Sequence, residues 1–137
     1  MDIELLSKAI ENSNNANIIN KTASILKSDI NNILQKLQLK KNILKEYNKK
    51  LKNYMYIDSI NDLKIGHSIK YIKIDTPDNI ILSRNFIICN INSNDNGIII
   101  TLKTFNNKFF TIYFHNFLIF KKFNDEEKVI IQAFSLL

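Results

Sequence analysis

Residues 21–54 read KTASILKSDINNILQKLQLKKNILKEYNKKLKNY. The stretch has no glycine and no proline, and an apolar residue recurs every three or four positions. In heptad letters, Ala23, Ile30, Leu37, Leu44 and Leu51 fall on a, and Ile19, Leu26, Ile33, Lys40, Tyr47 and Tyr54 fall on d. All but Lys40 are apolar or aromatic, and a repeat of about 3.5 residues sustained this long favours a left-handed supercoil. Leu34 on e and Ile43 on g widen the stripe, and Lys40 is a polar notch of the kind that sets register or oligomer state. A continuous helix over these residues would run roughly 50 Å at 1.5 Å per residue. A 16.0 kDa chain has little to cover such a rod. The expectation is therefore a coiled-coil interface made by Ile19, Ala23, Leu26, Ile30, Ile33, Leu37, Leu44, Tyr47, Leu51 and Tyr54, paired with a second copy or a different chain. A second helix folded back on the stripe could also bury it, and the competing reading is an amphipathic helix lying on its own domain.

The same stretch is basic. Nine lysines face Asp29 and Glu46, so residues 21–54 carry +7, against −2 for residues 1–20, +1 for residues 55–137 and +6 overall. Lys36, Lys40, Lys41, Lys45, Lys49, Lys50 and Lys52 crowd into its second half. Such a cluster suits nucleic-acid phosphates, an acidic protein or an anionic membrane. It also suits a plain solvated face, since it contains no arginine and no interleaved aromatic residue for base stacking.

Working outward, residues 1–17 read as a short amphipathic helix with Asp2 and Glu4 in its first turn, followed by an asparagine-rich loop. After residue 55 the period shortens towards two, the signature of strands. Strand signals cover 67–74, 80–91, 98–104, 108–114 and 117–123. Thr76-Pro77-Asp78-Asn79, the run 92–97 (NSNDNG), Asn106-Asn107 and His115-Asn116 mark the turns. Five or six short strands with brief connections favour an antiparallel meander closed into a small barrel. Residues 124–137 form a helix, with Asn124 as N-cap and Glu127 completing a capping box. The expected fold is α+β in four parts: a short helix and loop over 1–17, a coiled-coil helix over 18–55, a β-barrel over 56–123 and a helix over 124–137.

Ile 26, Asn 21 and Lys 18 make up nearly half of the 137 residues, a skew towards A/T-rich codons. Asparagine clusters are discounted for that reason. Cys89 is the only cysteine, which fits a reducing intracellular compartment. No apolar run nears the ~18 residues of a membrane span. His67 and His115 lack ligand spacing with each other or with Cys89, and no phosphate-cradling glycine loop is present. No metal, cofactor or enzymatic activity is expected.

The segment Asp62-Leu63-Lys64-Ile65-Gly66-His67-Ser68-Ile69-Lys70-Tyr71, a glycine turn leading an alternating strand, opens in the manner of Src-homology-type and Tudor-type barrels. With residues 109–120 it resembles small β-module proteins of nucleocytoplasmic large DNA viruses. The resemblance spans about residues 57–123. It implies a viral β module in the host cytoplasm or the virus particle, and carries over no functional residue. The reading from sequence is a non-enzymatic structural or assembly protein of a virion, oligomerising by its coiled coil and docking through its β module on a larger protein assembly. The alternative is a nucleic-acid-binding protein that uses the basic face over 36–52.

Overall fold

A computed structural model describes residues 3–137; Asp2, expected in the first helical turn, lies outside them. The chain forms two compact units. One is helical and joins the residues up to Met55 to Phe123–Leu137; the other is the β unit, Tyr56–Lys122.

The helical unit contains α1 (Ile3–Glu11), a 3-10 turn (Ser13–Ile18), α2 (Ala23–Gln35), α3 (Lys41–Lys50) and α4 (Asp125–Ser135). The expected long coiled-coil helix over 18–55 is absent. Helix α2 stops at Gln35, and α3 begins at Lys41. Between them the Leu37 and Gln38 amides bond back to the Leu34 and Gln35 carbonyls, and Gln38 takes a left-handed φ of 54°. Folding the seam back on itself covers it within one chain. Leu26, Ile30, Tyr47, Leu51 and Tyr54 are buried, Ile19, Ile33, Leu37 and Leu44 are half-buried, and only Ala23 of the predicted interface is exposed. Asn48 Nδ2 on α3 donates to Asn31 Oδ1 on α2 at 2.9 Å, fixing the hairpin. Helix α4 packs on α1 and α2, with Ile130 and Ile131 buried.

Asn15 ties this unit together. It is 3% exposed, and its Nδ2 donates to the Ala9 carbonyl at 2.9 Å and to Glu126 Oε2 at 2.7 Å. Asn12 Nδ2 donates to the same carboxylate oxygen at 3.1 Å. The Asn124 capping box forms as the sequence predicts, with Glu127 Oε1 accepting from the Asn124 amide and Asn124 Oδ1 from the Glu127 amide. At the boundary of the unit, the Phe123 amide donates to the Asn53 carbonyl at 2.9 Å.

Six strands follow: β1 (Tyr54–Ile57), β2 (Ser68–Lys73), β3 (Phe86–Asn94), β4 (Gly97–Lys103), β5 (Phe109–Tyr113) and β6 (Phe117–Lys122). Their order is β1-β6-β2-β3-β4-β5 in an antiparallel open sheet, which overturns the closed barrel. The last strand inserts between β1 and β2, so β1 and β5 remain as edges. They are the two shortest strands, four and five residues long, and short edges limit unwanted pairing. Residues 80–85 are not a strand but a loop pinned by one bridge, Leu82 to Ile72.

The register sorts the β residues by face. Ile69 opposes Phe86, Ile88 opposes Leu102, Ile100 opposes Ile112, and Leu102 opposes Phe110. Tyr71 joins this face, stacked on Phe86 at 5.5 Å and edge-on to Phe117 at 4.9 Å, while Phe86 meets Phe110 at 4.9 Å. Offset and edge-to-face rings of this kind add to burial. The other face carries the row Ile87, Lys103, Phe109 and the row Thr101, Thr111. Gly97 ends the β3–β4 turn at φ 131°, and a Cβ there would stand 3.1 Å from the His115 ring, so only glycine fits.

Candidate nucleic-acid interface

The basic surface belongs to the helical unit and is built around the α2–α3 turn. Lys36 is the C-cap of α2, Lys40 the N-cap of α3, Lys41, Lys45, Lys49 and Lys50 lie within α3, and Lys52 follows it. All seven are exposed. Lys41, Lys45 and Lys49 recur every four residues, so they line one side of α3 over about 12 Å. One strand of B-form duplex passes three or four phosphates in that length, at ~3.4 Å each.

Two features separate this surface from a generic solvated face. The first is its lack of neutralisation. Among the described residues only Lys50 of the seven has an ion pair, at 3.2 Å to Glu46, with both side chains about half exposed. The second is placement against local helix physics. Lys40 occupies the N-cap of α3 without any side-chain cap bond, and Lys41 opens the first turn with no acid present. An N-cap prefers Ser, Thr, Asp or Asn, and the partial positive charge of a helix N-terminus disfavours lysine. A chain that sets cations where its own helix repels them departs from local consistency, and such departures concentrate at functional sites.

The structure places each of the expected residues, Lys36, Lys40, Lys41, Lys45, Lys49, Lys50 and Lys52, on the surface. Sequence periodicity did not reveal that they bracket a tight turn. The bend sets Lys36 on one side of a turn and Lys40 and Lys41 on the other, instead of stringing them along a rod.

His67 Nδ1 accepts from the Lys64 amide at 2.9 Å, His115 leans on Tyr113 at 5.7 Å, and Cys89 sits half-buried at a bulge in β3. No cluster of three His, Cys, Asp or Glu side chains that could hold a metal occurs among the described residues. A shallow groove of about 460 Å³ runs between Ile60, Leu63, Ile91 and Ile98 and contains one titratable side chain, that of Lys64. Burial raises the hydroxyl pKa of Tyr71, an effect that the nearby Arg84 charge offsets in part. Burial, then the Asp58 carboxylate, raises that of Tyr56. Both hydroxyls are neutral and suited to packing rather than proton transfer at ordinary pH.

No helix among the described residues is long and apolar enough to cross a membrane. No protein-family model, curated protein or solved structure matches the chain.

Proposed function

We propose that this chain is a non-enzymatic nucleic-acid-binding protein that grips the phosphate backbone through the lysines over 36–52 and does not read base sequence. One observation carries the reading: seven lysines stay exposed from the end of α2 to just past α3, six of them without an ion pair among the described residues. The assembly role expected from sequence rested on an oligomerising rod. That seam is folded into a hairpin and covered within the chain, which leaves the basic surface as the stronger support.

The lysine row is long enough for three or four phosphates. Counterion release then sets a slope of log K against log salt near −3, or roughly a 60-fold loss of affinity between 50 and 200 mM salt. Fluorescence anisotropy with a labelled 20-base-pair duplex tests this. Wild type binds at 50 mM salt with that slope, equally for unrelated sequences. Lys41→Glu/Lys45→Glu/Lys49→Glu loses binding while keeping its helical circular dichroism. Unchanged affinity in the triple variant, or no binding by wild type at low salt, removes the proposal.

A further inference from the structure

Of the nine phenylalanines, only Phe105 and Phe109 are exposed, at 83% and 63%. Both belong to the β4–β5 hairpin. Phe109 begins β5, directly opposite Lys103 on β4, and Phe105 lies in the turn. The turn is tightly held. The Thr104 amide donates to the Lys108 carbonyl at 2.9 Å, the Asn107 amide to the Thr104 carbonyl at 3.0 Å, and the Lys108 amide to Thr104 Oγ1 at 3.2 Å. Asn107 supplies the left-handed residue at φ 61°. Thr104 itself is buried. Two rings are thus presented to water by an ordered scaffold, not by a slack loop.

The hairpin is cationic: Lys103 and Lys108 flank the two rings, and residues 96–124 contain no Asp or Glu. Next to the Lys103–Phe109 pair on the same face lies Thr101–Thr111, then Ile99–Tyr113. Phe109, Thr111 and Tyr113 alternate along β5, so a ring, a hydroxyl and a second ring follow one another on one side of the strand. Exposed rings interleaved with cations and hydroxyls form a stacking platform beside phosphate partners.

We propose that the β4–β5 hairpin is a second contact, specific for single-stranded nucleic acid: bases stack on Phe105 and Phe109, and Lys103 and Lys108 meet the phosphates. This contact differs in kind from the lysine surface of the helical unit and does not depend on it. Charge complementarity selects a polyanion as the occupant. A bilayer is disfavoured because Asn106 and Asn107 stand between the two rings and would enter hydrocarbon with their amides unpaired.

The chain contains no tryptophan, so Phe109→Trp introduces one reporter. At 200 mM salt, where the backbone contribution is weak, full-length protein is titrated with labelled dT12 and with a 12-base-pair duplex. Phe105→Ala/Phe109→Ala weakens dT12 binding, by roughly fivefold to a hundredfold per lost stack, and leaves duplex binding within about twofold of wild type. Phe109→Trp keeps dT12 affinity, and its emission is quenched by dT12 but not by duplex. Equal dT12 affinity in wild type and the alanine variant overturns the proposal. So does a parallel loss on both probes. Loss of partitioning to phosphatidylserine vesicles in the alanine variant, with dT12 binding intact, overturns it in favour of a membrane contact. The two proposals fail separately. If the lysine reading is wrong, duplex binding is missing at every salt while ring-dependent dT12 binding persists. If the hairpin reading is wrong, dT12 binding survives the alanine variant and disappears in Lys41→Glu/Lys45→Glu/Lys49→Glu.

Discussion

Replacing Gln38 by glycine decides between the hairpin and the rod, because the two predict opposite signs. In the hairpin Gln38 sits at φ 54°, exposed to solvent, so its side chain loses nothing on truncation. Holding a residue with a Cβ in the left-handed region costs about 1–2 kcal/mol, which glycine avoids. Glycine returns about 0.4–1 kcal/mol of that through its freer unfolded state. The net is a stabilisation near 0.5 kcal/mol. In a continuous helix, position 38 would be interior, and glycine there costs about 1 kcal/mol. Urea unfolding followed by circular dichroism at 222 nm separates the cases. With a slope of about 2 kcal/mol/M, Gln38→Gly moves the midpoint up by ~0.25 M, against a fall of ~0.5 M for the rod. The slope should not change. A lowered midpoint at constant slope would refute the helical break, and with it the placement of Lys36 on one side of a turn and Lys40 and Lys41 on the other.

Two further predictions test the packing. Asn15→Ala removes a buried donor from the Glu126 carboxylate and the Ala9 carbonyl. Bonds to charged groups contribute about 1.5–3 kcal/mol, so the midpoint of thermal unfolding falls by roughly 5–10 °C, and a fall under 2 °C would show that the network is dispensable. Tyr56 and Tyr71 both hold their protons above the usual value of 10.0 in the folded state. The unfolded chain therefore ionises first, and stability that is complete below pH 10 declines as pH rises from there through the folded values. Absorbance titration at 295 nm shows Tyr56 and Tyr71 ionising above the usual value, and Tyr56→Phe/Tyr71→Phe flattens the alkaline decline of stability.

Local signals in the sequence carried much of this structure. The change of period after residue 55, the NSNDNG turn and the Asn124 capping box each depend on a few neighbouring residues, and each is present. The helical break was harder to see. A hairpin and a rod need the same apolar spacing on either side of the bend, so Leu26, Ile30, Tyr47 and Leu51 fit both. The breaking residue, Gln38, is an ordinary helix former with no turn signature. Some signal was present but set aside. Asn20, Asn53 and Asn107 are three of the four non-glycine residues with positive φ, and all three sit where an element ends or turns. Asn107 falls in the expected Asn106-Asn107 turn, while codon bias in asparagine masks the same tolerance of the left-handed region at Asn20 and Asn53. The lysine set was legible as charge, while its placement about a turn required the bend. The exposure of Phe105 and Phe109 was beyond sequence patterning, because a phenylalanine in an apolar strand is core by default.

The Phe123–Asn53 hydrogen bond closes a detour. The helical unit is written in two parts, separated by the whole of Tyr56–Lys122. On a ribosome working at about 5–20 residues per second, roughly 3–13 s pass between the emergence of Met55 and that of Phe123. During that delay the amino-terminal helices lack α4; when it ends, the β unit has its last strand, whereas the helical unit still waits for residues 123–137. The β unit, begun second, is thus the first able to finish, and the nascent amino-terminal helices wait for their last partner.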